Sequence, residues 1–547
     1  MCLGWCIWTD REGIIYGILT QPVVPMFEKY AMITLYFSIL ILLGYLASRR
    51  VKNMSDFVIG GKSLSYWVAA FSAQATGESA WLLLGVTGMG AMLGFSAYWI
   101  VVGEILGVAL AWFVMAPRFK QLTDRYQSMT VIDYLVSRFQ AKSYLLRVIS
   151  AFALSIFVLI YISAQIDATG SAFESFLEWN YFTGAMVGFA IVVVYCIAGG
   201  FLAAAWTDMF QGAVMLICLV LLPVVAFLTM ANSGDIYSGL QTIDPGLVNI
   251  WGPGGFNLMN LSVVVGMALI GLGFLGSPQV FARLIAIRSE AQINRGKWVA
   301  VLFTLLVDTA AVSIGVLGRY VFTSQGVEPD VALGNGAQNV LSEMVEFTFP
   351  PWIVGLYVAA VLSAIMSTVS SLLVMASGSI THDLYEKIYN PALADSDAAR
   401  MCRYMTLLLA ALALGLAITV SIVSPTRTVF WFAIFGWSGI AATFCPMIIL
   451  SLFWPRFTER AAIASMFTGF TMTIVSKFVL QGFTTVGPYF TALETMPPSF
   501  LSALLVGYLV TLWWPDPDLE AHYRRELQSL KQARQEPLDS IAGTSNA

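Results

Sequence analysis

Long apolar runs separated by short polar loops dominate the chain. Between Ala31 and Trp514 they fall at 31–49, 67–88, 93–116, 145–173, 180–198, 207–231, 258–283, 298–323, 351–380, 403–423, 429–453, 461–482 and 496–514. Each is close to the roughly 17–25 residues that carry a helix across a hydrocarbon core. Isolated strands cannot satisfy their backbone groups in lipid. The pattern therefore predicts an all-α polytopic membrane protein with about 13 transmembrane helices, a 1–30 segment before them and a polar 515–547 tail, helical around 519–535.

Composition agrees. The 547 residues are 58% hydrophobic and only 11% charged, with a mean hydropathy of +0.78. Average soluble chains carry about 25% charged residues. Lys and Arg gather in alternate loops, after the first, third, seventh, ninth and eleventh runs and in the tail. The 320–350 loop instead carries Glu328, Asp330, Glu343 and Glu346. The positive-inside bias then predicts an N-terminus outside and a C-terminus in the cytoplasm. No loop is large enough for a soluble catalytic domain. There are two histidines, His382 and His522, and no HExxH, Walker A or GxSxG motif, so neither enzyme activity nor a cofactor is expected. The net charge of −4 and the scattered basic residues give no sign of nucleic-acid binding. The six cysteines form no CxxC pair and read as small hydrophobes.

Two runs are interrupted. The second contains Ala75-Thr76-Gly77-Glu78-Ser79, and the seventh contains GLGFLGSP, 271–278. Glycine costs a helix about 1 kcal/mol and proline about 3. In a membrane such breaks survive where the freed backbone is buried or lines a cavity. Two breaks five runs apart suggest two inverted halves of five helices, 67–231 and 258–453, with 31–49 and 461–514 as additional helices. The ninth run adds Ala364, Ser367 and Thr368, spaced to share one helix face. Their two hydroxyls and one carbonyl, set against carbonyls of the second run, offer the hard oxygens that hard cations need. Serine and threonine also serve simply to pack membrane helices.

At these residues the chain resembles the sodium:solute symporter family, and its sodium/proline symporter branch. The matching stretches are SDFVIGGKSL (55–64), SAQATGESAWLLLG (72–85), GGFLAAAWTDMFQG (199–212), GSPQVFARLIA (276–286), SAIMSTVSSLL (363–373) and SITHDLYEKI (379–388). The resemblance implies a LeuT-like five-plus-five inverted repeat with broken helices. It also implies symport of a small organic solute, an amino acid or related compound, driven by sodium through alternating access. Carried over, the sodium ligands are Ala75 and Glu78 through their carbonyls, with Ala364, Ser367 and Thr368. The substrate residues are Thr76, Ser79, Ala80, Trp81, Tyr161, Phe274 and Pro278.

The chain departs from the branch at three positions. Gly77 replaces an Asp important for sodium use, with Glu78 one residue later. Ile270 and Phe274 replace a Trp and a Tyr, which removes two polar handles on a substrate. Acids also lie within the runs, at Glu78, Glu104, Asp167 and Asp308, and intramembrane acids are functional candidates by default. Glu78, Asp167 and Asp308 suggest an alternative, a proton-coupled or cationic-solute transporter. A non-transporting solute sensor is a further alternative. Asp208, near the cytoplasmic end of its run, reads as structural or gating.

Overall fold

The structure is a computed structural model that describes residues 26–543, apart from 52, 231, 232 and 426. Cys2, Cys6 and nearly all of the 1–30 segment lie outside the described residues. Within them the chain is helical, and the one extended pairing is an isolated bridge between Leu64 and Ile287.

Two helical stretches, 66–125 and Tyr181–Thr229, are each divided by a glycine at positive φ, Gly94 at 60° and Gly200 at 54°. Each therefore supplies two crossings. The crossing helices are α1 (Met26–Ser48), α2 (66–93), α3 (98–125), α4 (Leu145–Leu177), α5 (181–199), α6 (201–229) and α7 (Leu258–Ala286). They continue as α8 (Glu290–Phe322), α9 (Pro351–Gly378), α10 (Asp395–Val423), α11 (Val429–Phe453), α12 (Glu459–Phe478) and α13 (Met496–Trp513). These match the thirteen expected runs in order.

Polar caps mark where loops become helices. The side chains of Asn257, Thr428 and Thr458 accept hydrogen bonds from the backbone N–H of Asn260, Trp431 and Ala461, satisfying donors that a helix start leaves free. The apolar stretch of α9 is 94% buried and that of α11 83%, against 28% for α1 and α12. So α9 and α11 are central, while Leu106, Ile217, Leu228 and Phe467 stay exposed on the outer helices, as a lipid-facing surface requires. The tail forms a helix, Pro517–Gly543, folded against the bundle. Tyr523 donates to the Leu452 carbonyl at 3.0 Å, and Tyr126 donates to Glu526 at 2.6 Å.

Candidate ion and substrate site

Both expected breaks are present. In α2 the helix is interrupted at Ser79, with φ 41° and ψ −167°. In α7 regular helix ends at Ala268. A tight 3-10 stretch, Leu269–Leu275, follows, then Gly276 at φ 152°, and helix resumes with Pro278 in its first turn.

The helix α9 faces the first break. Ser367 donates to the Ala75 carbonyl at 2.9 Å and Thr368 to the Thr76 carbonyl at 3.0 Å. The same hydroxyls lie 3.1 and 3.2 Å from the Ala364 carbonyl. Ala75, Ala364, Ser367 and Thr368 thus converge in a fully buried oxygen frame. The Glu78 carbonyl, just before the break, accepts the Trp81 N–H.

Residues expected at the substrate site separate into two groups. Ser79 and Tyr161 hydroxyls meet at 3.0 Å, and Gln165 ties them to the restarted helix. Its Nε2 donates to Ser79 Oγ at 3.2 Å, and its Oε1 accepts the Ala80 N–H at 3.1 Å. The Trp81 indole donates to the Gly77 carbonyl at 3.0 Å. Phe274 closes over Gly77, where an added Cβ would stand 2.6 Å from Phe274 Cε1. Trp437 of α11 completes the wall, with ring centroids 5.3 Å from Phe274 and 6.2 Å from Tyr161. Thr76 and Pro278 stand apart from this group. The Thr76 hydroxyl pairs with Ser371 at 2.9 Å, and Pro278 lines a separate small cavity with Phe201 and Ser379.

The sequence reading missed several of these neighbours. Gln165 lies one turn after Tyr161 on the same face of α4, and an intramembrane amide at that spacing was a usable signal. Trp437 carries no local signal, because packing alone brings α11 here. Arg283, the last residue of the seventh run, is 0% exposed and bonded to Asp208 at 3.0 Å. Ser72 and Ser371 also donate to Asp208, at 2.7 and 3.2 Å. The ion frame therefore borders a buried ion pair through Thr76 and Ser371.

The intramembrane acids also divide. Asp167 pairs with Arg427, and the Tyr181 hydroxyl donates to it at 2.5 Å. It does not join Glu78 and Asp308. Glu78, Glu104 and Asp308 instead offer carboxylate oxygens within 4.8 Å of one another, all fully buried. Three ionised carboxylates at 4.8 Å repel by about 3.5 kcal/mol per pair at an effective dielectric of about 20. Between the loops after α3 and α9, Arg147 bridges Asp133 at 2.9 Å and Asp383 at 2.6 Å, while His382 reaches Asp133 at 2.9 Å. Burial disfavours the Asp133 charge, but the His382 bond and the Arg147 guanidinium outweigh it and hold the carboxyl below its usual range.

The family model for the sodium:solute symporter family matches residues 57–469. The chain belongs to the sodium:solute symporter family. It is 32% identical over 475 residues to the high-affinity proline transporter PutP of Bacillus subtilis, covering 86% of this chain and 95% of that one. It is 33% identical over 439 residues to the sodium/proline symporter of Escherichia coli, covering 80% and 85%. Among solved structures, a substrate-bound outward-open Na+-coupled sialic acid symporter superposes with a TM-score of 0.71. The identity is 16%, over 89% of this chain and 99% of that one. MhsT in complex with L-phenylalanine superposes at 0.51 with 12% identity, over 82% and 98%. The fold is the LeuT-like inverted repeat with broken helices. This family member is a multi-pass membrane transporter that takes up solute with sodium as coupling ion, and it is not an enzyme.

Proposed function

We propose that the transported solute is proline or a close amino-acid relative. The proline named for the relatives at 32% and 33% identity supports this choice. The observation that carries the mechanism is the meeting of the Ser367 and Thr368 hydroxyls with the Ala75 and Thr76 carbonyls at the α2 break. Sodium enters between these oxygens as the two hydroxyl protons turn away, held by the Ala75, Glu78 and Ala364 carbonyls with the Ser367 and Thr368 hydroxyl oxygens. Binding draws α2 onto α9 and orders the Ser79 turn. The solute lies against Phe274, Trp437 and Tyr161. Its carboxylate meets the Ser79 and Tyr161 hydroxyls and the N-terminal end of the restarted α2 helix, where free N–H groups favour an anion. Trp81 and Ala80 hold that end in place through Gly77 and Gln165. Thr76 and Pro278 act at one remove, through the ion frame and the α7 restart.

Each sodium entering down a potential of about 100 mV gains about 2.3 kcal/mol. The halves 67–231 and 258–453 then rock about the site in a cell (inner) membrane, with the N-terminus outside and the tail in the cytoplasm. The alternating basic loops support this orientation.

One observation favours a second reading. The Glu78 and Asp308 carboxyls, buried beside each other without a cationic partner, would suit proton coupling or a cationic solute, although Asp167 is already matched by Arg427. Uptake of labelled proline into proteoliposomes decides. Accumulation that needs an inward sodium gradient is expected. Accumulation indifferent to sodium but abolished by a protonophore would select the second reading, and binding without accumulation would make the protein a sensor.

A further inference from the structure

We propose that the carboxylates of Glu78, Glu104 and Asp308 form a second sodium site, separate from the frame of Ala75, Ala364, Ser367 and Thr368. The three side chains come from three helices, α2, α3 and α8, and their oxygens lie within 4.8 Å of one another. Apart from the contacts of Glu78 with the Thr304 hydroxyl and with Asp308 itself, no hydrogen-bond donor reaches the three carboxylates, and all three residues are fully buried. The other fully buried acids show the contrast. Asp208 is paired with Arg283 and Asp383 with Arg147. Among the described residues, Glu78, Glu104 and Asp308 have no cationic partner.

A neutral group supplies the independent observation. Gln74 lies one turn before Glu78, and Thr304 one turn before Asp308. Gln74 Nε2 donates to Thr304 Oγ1 at 2.5 Å, and that hydroxyl faces Glu78. The other corner of the carboxamide, Oε1, is buried and unpartnered. The wall of the cluster therefore carries an orphan acceptor that is not an acid. Buried acceptors left without donors are costly. A set made only of oxygens, with no nitrogen or sulfur, suits a hard cation.

The position suits an ion that loads and empties in every cycle. The helix α3 crosses the α7 break in close contact. A Cβ on Gly103 would stand 1.9 Å from the Ala268 carbonyl oxygen, and one on Gly107 would stand 2.0 Å from that of Gly271. Glu104 follows Gly103 directly, while Glu78 immediately precedes the α2 break. An ion here holds both broken helices against α3 and α8. In the ligand set proposed above Glu78 gives its carbonyl to the first ion, and here its carboxylate would hold the second, so one residue couples the two ions.

This inference rests on the sodium-symporter reading, but its test does not use the solute. Binding of radioactive sodium is counted on the purified full-length chain in nanodiscs, with choline as the replacement cation. Two saturable equivalents are expected. E104Q and D308N should each leave one, and S367A should leave the other. A single equivalent on the unaltered chain overturns the proposal, whether or not the variants fold. Two equivalents on both folded carboxyl variants also overturn it. Radioactive calcium displacing one sodium at micromolar levels overturns the assignment to a monovalent ion. An error about proline leaves the sodium count unchanged.

Discussion

Gly77→Ala is the sharpest perturbation of the site. It adds one methyl group where the chain has none. That Cβ would stand 2.6 Å from Phe274 Cε1 and 2.7 Å from Cζ, against about 3.5–4.0 Å for an ordinary carbon contact. The ring must retreat by about 1 Å. It cannot do so freely, because Trp437, itself 1% exposed, packs behind it at 5.3 Å. Overpacking of this kind costs about 1–3 kcal/mol, or roughly 5- to 150-fold in an equilibrium constant. Gly77→Ala is therefore expected to lower both the melting temperature and the apparent affinity for solute. Phe274→Leu removes the two offending ring atoms. The double variant G77A/F274L should recover at least half of the stability lost by G77A, a coupling of about 1–2 kcal/mol in a double-mutant cycle. The assays are thermal unfolding of the purified chain and sodium-driven uptake in proteoliposomes. A G77A protein that melts and transports normally, or additive losses in the double variant, would refute the packing argument.

Other outcomes follow from the same geometry. Ser367→Ala and Thr368→Val each remove a proposed sodium ligand and should raise half-saturating sodium by about tenfold, equivalent to ~1.4 kcal/mol. An unchanged sodium dependence of uptake would count against the frame. Tyr161→Phe removes one of the two side-chain partners of Ser79, leaving Gln165, and keeps the ring, so the solute KM should rise with stability little changed, as kinetics and melting together would show. Asp208→Asn leaves Arg283 buried without a carboxylate and should cost about 3–5 kcal/mol of stability, read as loss of folded protein on size-exclusion chromatography. Glu494 lies in the loop before α13, where burial pushes its carboxyl up from 4.5 to about 7 despite the opposing Lys477 charge. The folded chain thus keeps a proton that the unfolded chain releases. Glu494's contribution to stability is complete below pH 4.5 and is lost as the pH rises to about 7, a change of at most about 3 kcal/mol. Glu494→Gln should flatten the melting temperature between pH 5 and pH 8, and an unaltered pH profile would refute this.

Much of the site was legible in the chain because its signals are local. The glycines and proline of 75–79 and 271–278 announced backbone that cannot remain helical, and Ser79 and Gly276 carry the non-helical angles. The spacing of Ala364, Ser367 and Thr368 announced one polar face, and that face meets α2. The partners of the intramembrane acids were not legible in this way. Asp167 and Asp308 looked alike in sequence, yet one is matched by Arg427 and the other stands beside Glu78 and Glu104. Thr76 and Ser79 are three residues apart, but the turn at Ser79 sends their side chains to Ser371 and Tyr161.

The sequence by itself determined the solvent of this protein, the number and order of its crossings, and the two places where helices must break. Those properties depend on hydrophobicity and backbone chemistry over neighbouring residues. Only the tertiary structure decided that Phe274 covers Gly77, that Arg283 is buried on Asp208, and that three acids from α2, α3 and α8 bring their carboxylates together. Helix rotation and crossing distance decide those contacts, and in lipid they are set by packing between distant segments, which no local pattern along the chain encodes.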